Sequence, residues 1–485
     1  MSVIRFRKEL YCGCSSIVYN CSMTKWIPRR ETLDRPLHVG IANSLKEAIS
    51  EGKLAVGERL PPHRTLADSL GVSVHTVGKA YDELTRTGLV GGQVGRGTFV
   101  LDPSQNSQQP FLMERTNQGL IDLSIARPLY DNLHAGKMQS ALKDMSTSLN
   151  PDVYLACRPN VGLEEHRNAG VKWLSRCGLK TSAKNIVMTN GVCHGMTTAL
   201  SSVARHGDVV VTDAIAYHLI ISLCSYLGIR LQGLKMDNEG VLPDAFEAAC
   251  KQQEVKVFFT APTLAGPSVS LMSLERRKEL VRIARQNDVL IIEDDVLGPL
   301  PENRPPPISA LAPERSIYLT SFTKCVMPGL RTGYLVTPET LLPTITGRLI
   351  VFSWMATPFI SEIASRWIED GTADELVRWQ REKIAERHAI VTEELAQFNW
   401  VGHPAALHFW LRLPEQWSAQ NMVDHAKALG VAVAPPQPFM TAQSEPMNAV
   451  RIAVGGVSSI DRFRQGLILI KDLLKRSPEP LPQIL

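Results

Sequence analysis

Ser321-Phe322-Thr323-Lys324-Cys325-Val326-Met327-Pro328-Gly329-Leu330-Arg331-Thr332-Gly333-Tyr334 is the stretch on which the reading of the larger, C-terminal part of the chain turns. It continues an extended run, residues 316–321, and breaks at Pro328 and Gly329, so it reads as a strand passing into a loop. A hydroxyl, an amine and a guanidinium, from Ser321, Lys324 and Arg331, stand at fixed offsets along that passage. Alone, the segment could equally be a surface loop that happens to carry a lysine and an arginine.

Working outward, further β-branched runs at residues 209–212, 255–260 and 289–293 are separated by helical stretches such as residues 274–287. Strand and helix in alternation predict a mainly parallel sheet covered on both faces. In such sheets ligands lie beyond the carboxyl ends of the strands, and Asp294 and Lys324 each stand just past one. Pyridoxal phosphate needs an amine for a Schiff base, a cation and a hydroxyl for its phosphate, and a carboxylate for its ring nitrogen. Lys324, Arg331 with Ser321, and Asp294 supply that set.

The 485 residues, 44% hydrophobic and 21% charged, give room for two to four domains. No apolar run is long enough to cross a bilayer, so no membrane role is expected. A formal net charge of +4 is too weak to imply nucleic acid, and any such argument must be local. Nine scattered cysteines predict reduced thiols and a cytoplasmic protein. Cys12, Cys14 and Cys21 lack a fourth ligand at finger-like spacing, so no metal is expected. Residues 1–22 are not built like a signal peptide and read as an extension, with Met23 as an alternative start.

Near the N-terminus Leu37, Ile41, Leu45 and Ile49 recur every four residues, painting one stripe on a helix that Gly52 ends. After Pro61-Pro62 a short helix over residues 65–70 closes at Gly71, and Ser73 can cap a third helix reaching to about residue 87. Val77, Ala80, Tyr81 and Leu84 repeat at three and four, which leaves Ser73, His75, Thr76 and Lys79 facing outward, as a major-groove surface requires. Residues 89–100 then read as two short strands around a glycine-rich turn with Arg96 at its tip, a wing that can reach a minor groove or phosphates.

Residues 36–100, with Gly57-Glu58-Arg59-Leu60-Pro61-Pro62-His63-Arg64, Leu66-Ala67-Asp68-Ser69-Leu70-Gly71-Val72-Ser73 and Gly95-Arg96-Gly97-Thr98-Phe99-Val100, resemble a GntR-family winged helix. The resemblance implies that Arg64 and Arg96 touch double-stranded DNA, with His75 and Thr76 near base edges. Arg59 is left out of this set, because it could as easily be a solvated helix-flanking charge. Residues 102–119, rich in Gln, Asn, Ser and Pro, read as a flexible tether between the winged-helix domain (23–101) and the large domain (120–485).

The large domain resembles a class I/II, fold-type-I aminotransferase over its length, which implies an α/β domain with a smaller α+β C-terminal subdomain. By that resemblance Thr189-Asn190-Gly191-Val192-Cys193-His194 precedes a helix beginning near Gly195 and lends the phosphate its backbone N–H groups, including those of Val192 and Cys193. Tyr217 matches the aromatic that stacks on the pyridine ring, Asp294 is preferred to Asp295 for the ring nitrogen, and Arg451 matches the arginine that forks onto a substrate carboxylate. Two positions depart from the pattern: Gly266 replaces an asparagine, and Val296-Leu297 stand where a tyrosine donor usually follows the aspartates. Tyr154 fits the tyrosine that reaches a neighbouring subunit only with a shift.

Both halves in this order resemble the MocR subfamily of GntR regulators. That implies a homodimer bound to an operator and responding to an amino compound or to the cofactor itself. The expectation is a multidomain, pyridoxal-phosphate-dependent transcriptional regulator with weak or no transaminase activity. The alternative is a working aminotransferase with an appended DNA-binding domain.

Overall fold

Every fourth residue of the first helix is apolar, and in the structure that stripe is what the N-terminal unit closes on. The structure is a computed structural model; it describes residues 26–478 apart from 56, 87–88, 94–96, 101–118, 265–268, 270 and 443. The chain divides into two compact units, Met1–Pro110 and Phe111–Leu485.

In the first unit α1 (Leu37–Ser50), α2 (His63–Leu70) and α3 (Val74–Arg86) precede an antiparallel hairpin of β1 (Val90–Gln93) and β2 (Gly97–Val100). Ile41 and Leu45 of α1 are buried with Leu66 and Leu70 of α2, Val77, Ala80, Tyr81 and Leu84 of α3, and Val90 and Val100 of the hairpin. Burying these apolar side chains is the main force holding so small a unit together. The α2–α3 turn is tight because Gly71 caps α2 at φ +58°, a left-handed conformation that costs glycine little. Ser73 Oγ accepts the Thr76 N–H at 3.1 Å and so caps the start of α3. Helix α2 begins at His63, two residues earlier than the sequence predicts, because Pro62 holds an extended backbone that starts a helix well without donating an N–H.

The second unit is built on a seven-stranded sheet. Its strands are β3 (Ile186–Thr189), β4 (Val209–Asp213), β5 (Arg230–Leu234), β6 (Val255–Thr260), β7 (Leu290–Asp294), β8 (Ser316–Ser321) and β9 (Gly333–Val336). They lie in the order β3-β9-β8-β7-β6-β4-β5, parallel except for β9, which runs against both of its neighbours. Because β9 reverses twice, β3 runs with the parallel strands, and the carboxyl ends of β3, β4, β7 and β8 meet at one edge. Helices such as α4 (Val192–Val203) and α5 (Leu274–Gln286) cover the sheet; β8 is buried along its whole length and β6 at every residue but Lys256. A smaller antiparallel sheet follows, with strands β10 (Trp400–Val401), β11 (His408–Arg412) and β12 (Ala449–Ala453) in that order. Helix α4 begins at Val192, three residues before the predicted start, because Gly191 at φ +81° turns the chain into it directly after β3.

Candidate functional site

The chain bends into the site just past β8. Ser321 is fully buried and its Oγ accepts the Thr323 N–H at 3.3 Å, while the Phe322 N–H reaches the Thr332 carbonyl at 3.1 Å. The Phe322 ring packs on Trp173 with centroids 4.4 Å apart, which fixes the loop from below. Lys324 Nζ donates to the Ala126 carbonyl. Burial, and after it the charge of Arg451, lower this amine to about 8, against the pull of Cys193 and Asp294.

Three acids end β7, and their partners separate them. Glu293 accepts the N–H groups of Ile308 at 3.0 Å and Ser309 at 2.7 Å and lies 3.8 Å from Arg277. Asp295 Oδ2 accepts from Arg304 Nη1 and from the Tyr318 hydroxyl, both at 2.6 Å. Asp294 accepts only the Val296 N–H, at 3.2 Å, among the hydrogen bonds of the described residues. Its carboxyl, 5% exposed, is raised to about 7 by burial, with that N–H and Lys324 pulling the other way. Asp295 is thus consumed in packing, and Asp294 and Lys324 are near enough to bias each other's proton.

Gly191 leaves the first turn of α4 without a side-chain cap, so its leading N–H groups, those of Val192 and Cys193 included, have no partner within the helix. Arg331 lies against that turn: a Cβ built on Gly191 would stand 2.8 Å from its Nη2. Arg331 itself takes φ +43°, a left-handed conformation in which the guanidinium is turned back toward the helix start. An uncapped helix start beside a guanidinium is a cradle for a dianion. Cys193 Sγ is 3.7 Å from the Tyr217 hydroxyl, and burial raises that hydroxyl well above its ordinary value.

Arg451, in the middle of β12, donates from Nη2 to the Ser124 carbonyl at 2.8 Å, while its buried Nε has no hydrogen-bond partner among the described residues. Its guanidinium lies 4.2 Å above the Phe439 ring, and burial lowers it to about 10. The structure therefore brings Lys324, Asp294, Tyr217, Ser321, Arg331, Val192, Cys193 and Arg451 to one region of the second unit. Leu297 is buried in the core, and Gly266 lies outside the described residues.

In the first unit Arg64, His75 and Lys79 are exposed on α2 and α3. Thr76 is half-buried and its hydroxyl pairs with Ser73 Oγ at 2.8 Å, so it faces outward less than the helix spacing suggests. Arg96 lies outside the described residues. Arg59 is no solvated charge: it pairs in a bridge with Phe99, and a Cβ on Gly97 would stand 2.5 Å from its Nε. It packs against the base of the wing, which a glycine at 97 makes room for.

Local spacing gave no sign of Ser124, Ala126, His218 or Phe439, all of which border the site. His218 is buried beside Tyr217, and its imidazole is held at about 3 by burial and by the charges of Arg451 and Lys324. Adjacency to Tyr217 was the one signal that could have found it.

Fold and site together define an aminotransferase-type α/β protein that carries a winged helix. Residues 118–464 match Aminotransferase class I and II, and residues 37–100 match Bacterial regulatory proteins, gntR family. The chain belongs to the aminotransferase class I and II family and, with its gntR-type domain, has the make-up of a MocR-type GntR regulator. It is 28% identical over 452 residues to the HTH-type transcriptional regulator YdeF of Bacillus subtilis (strain 168), covering 93% of this chain and 96% of that one. Among solved structures it resembles an archaeal alanine:glyoxylate aminotransferase, with TM-score 0.69, 23% identity, and 81% and 99% of the two chains covered. It also resembles the Pyrococcus horikoshii kynurenine aminotransferase in complex with PMP, with TM-score 0.68, 22% identity, and 77% and 98% covered.

Proposed function

We propose that this chain is a homodimeric, cytoplasmic, operator-binding transcriptional regulator whose large domain binds pyridoxal 5'-phosphate and senses an amino compound without completing transamination. The observation that carries the reading is the meeting of Lys324, Asp294 and the uncapped start of α4 beside Arg331 at the carboxyl edge of the sheet. These residues fit the cofactor. The amine is shifted toward its neutral, nucleophilic form, a buried carboxyl accepts a single N–H among the described residues, and the uncapped start of α4 lies beside a guanidinium.

Lys324 would hold the cofactor covalently, Asp294 its ring nitrogen, Tyr217 its ring face, and Arg331, Ser321 and the N–H groups of Val192 and Cys193 its phosphate. Bound there, the cofactor supplies an aldehyde that condenses with amines. Arg451, whose guanidinium is paired with no carboxylate among the described residues, would bind the carboxylate of an incoming amino compound. Arg64, His75, Thr76, Lys79 and Arg96 would face the operator.

Sensing is favoured over turnover because Gly266 and Leu297 offer no side-chain donor where the family places an asparagine and a tyrosine. A hydrogen bond to a charged group contributes roughly 1.5–3 kcal/mol, so losing two slows a step that depends on both by about 10² to 10⁴. Support for a second copy comes from exposed Tyr154, Leu155, Val351, Phe352 and Trp354, whose two segments are joined by a 2.8 Å bond from Trp354 Nε1 to the Cys157 carbonyl. Apolar side chains so placed are a common sign of an interface.

A single-turnover experiment with a panel of amino acids tests the reading. Change in the cofactor spectrum without keto acid release supports the sensor. Rapid keto acid release at rates ordinary for aminotransferases would make the protein a working enzyme instead.

A further inference from the structure

We propose that Phe439 is a positioning residue that holds Arg451 for ligand carboxylates and so makes the site select amino compounds that carry a carboxylate over those that do not. The proposal rests on the reading of Arg451 as the carboxylate-binding group.

The argument begins with what surrounds Arg451. A guanidinium 9% exposed has lost most of its water, and among the described residues no carboxylate pairs with it. One carbonyl, that of Ser124, fixes a single edge through Nη2. An arginine held by one hydrogen bond can still rotate about that contact, and bidentate capture of a carboxylate needs the plane fixed as well. The Phe439 ring supplies the plane, because the guanidinium carbon sits 4.2 Å from its centroid, a stacking distance.

The ring is itself immobilised from both edges. His218 meets it at 5.7 Å and 87°, and Trp410 at 5.9 Å and 89°, each edge to face. Trp410 is also the cross-strand partner of Arg451 between β11 and β12. The Phe439 carbonyl accepts the Ala216 N–H at 2.7 Å, which ties it to the segment just ahead of Tyr217. Phe439 therefore stands where the aromatic side of the site and its carboxylate side join. With Nη2 anchored and the face stacked, the guanidinium is held in one plane, and its buried Nε has no hydrogen-bond partner among the described residues.

The test uses the full chain loaded with pyridoxal phosphate and two matched probe pairs: L-phenylalanine with 2-phenylethylamine, and L-leucine with 3-methylbutylamine. Dissociation constants come from the long-wavelength cofactor band and, independently, from calorimetry. Wild type is expected to prefer the amino acid of each pair, and Arg451→Ala to abolish that preference. Phe439→Leu is expected to weaken amino acid binding by about tenfold while leaving the amines unchanged. Phe439→Tyr, which keeps the ring, restores the preference. Phe439→Met carries the same test should the shorter side chain unsettle the fold. A wild-type preference in the leucine and methionine variants, or equal weakening of acids and amines, overturns the role of Phe439. If wild type shows no preference, or Arg451→Ala retains it, the reading of Arg451 fails and takes this proposal with it.

Discussion

Arg304 Nη1 holds Asp295 Oδ2 at 2.6 Å, and that ion pair assigns two adjacent aspartates to different tasks. Both partners are buried, and Tyr318 shares the same oxygen. Removing one member of a buried pair strands the other, at a cost of about 3–5 kcal/mol. Asp295→Asn is therefore expected to lower unfolding stability by that order, read by urea denaturation. Arg304→Met should behave likewise, and unaltered midpoints in both would remove the structural role given to Asp295.

Asp294 behaves in the opposite sense. Its folded carboxyl titrates near 7 instead of at the ordinary 3.8, so between those values the native state binds more protons than the unfolded chain. Stability of the cofactor-free protein should fall as pH rises through this window, and Asp294→Asn should flatten the fall. At pH 8 the variant is expected to be at least as stable as wild type yet to bind pyridoxal phosphate more weakly. A variant that is less stable at pH 8 would contradict the assignment.

Lys324 titrates near 8, and only a neutral amine attacks an aldehyde. The rate of covalent attachment of pyridoxal phosphate should rise with pH to half its maximum near 8, far below the range of a solvated lysine. Arg451→Ala removes a charge that lowers this amine, so the midpoint should move up. Lys324→Ala should abolish borohydride trapping. Cofactor still trapped on that variant would mean that another amine does the work.

Gly191→Ala places a Cβ 2.8 Å from Arg331 Nη2 at a backbone φ of +81°. With ψ at 173° this is a backbone region almost reserved to glycine, which costs an alanine about 1–3 kcal/mol, and the guanidinium must move. The expected result is faster loss of pyridoxal phosphate on dialysis with little change in affinity for DNA. Equal retention by the variant and wild type would separate Arg331 from the phosphate.

On the first unit, Arg64→Ala should weaken binding to the operator, and loss of a phosphate contact should lower the salt dependence by about one unit. His75→Ala, if the imidazole meets a base edge, should instead cost roughly 1–3 kcal/mol and relax specificity. Titration at two salt concentrations distinguishes these outcomes, and unchanged affinity in both variants would displace α2 and α3 from the interface.

The parts of the site that were legible in the sequence lie at strand ends. Lys324 and Asp294 could be placed because extended runs end just before them and the topology gathers carboxyl ends at one edge. The choice between Asp294 and Asp295 was not decided by spacing: it needs Arg304 and Tyr318, which arrive from a loop and a neighbouring strand. Phe439, Ser124 and Ala126 carry no local signature, since what matters about them is which distant side chain they meet. Helix starts were misjudged where Pro62 and Gly191 set the backbone, because apolar periodicity reports the buried face of a helix and not its first residue. Arg59 could not be placed from the sequence for a related reason, as its partner surface is a glycine.

Ser124 and Ala126, whose carbonyls hold Arg451 and Lys324, belong to one strip of backbone. A group that engages Lys324 Nζ competes with the Ala126 carbonyl, and one that draws Arg451 Nη2 away takes a donor from Ser124. The two bonds hold that strip against both cations of the site. A ligand that engaged both cations would thus exchange two backbone partners two residues apart, so that occupancy of the pocket and the hydrogen bonding of one short run of main chain rise and fall together.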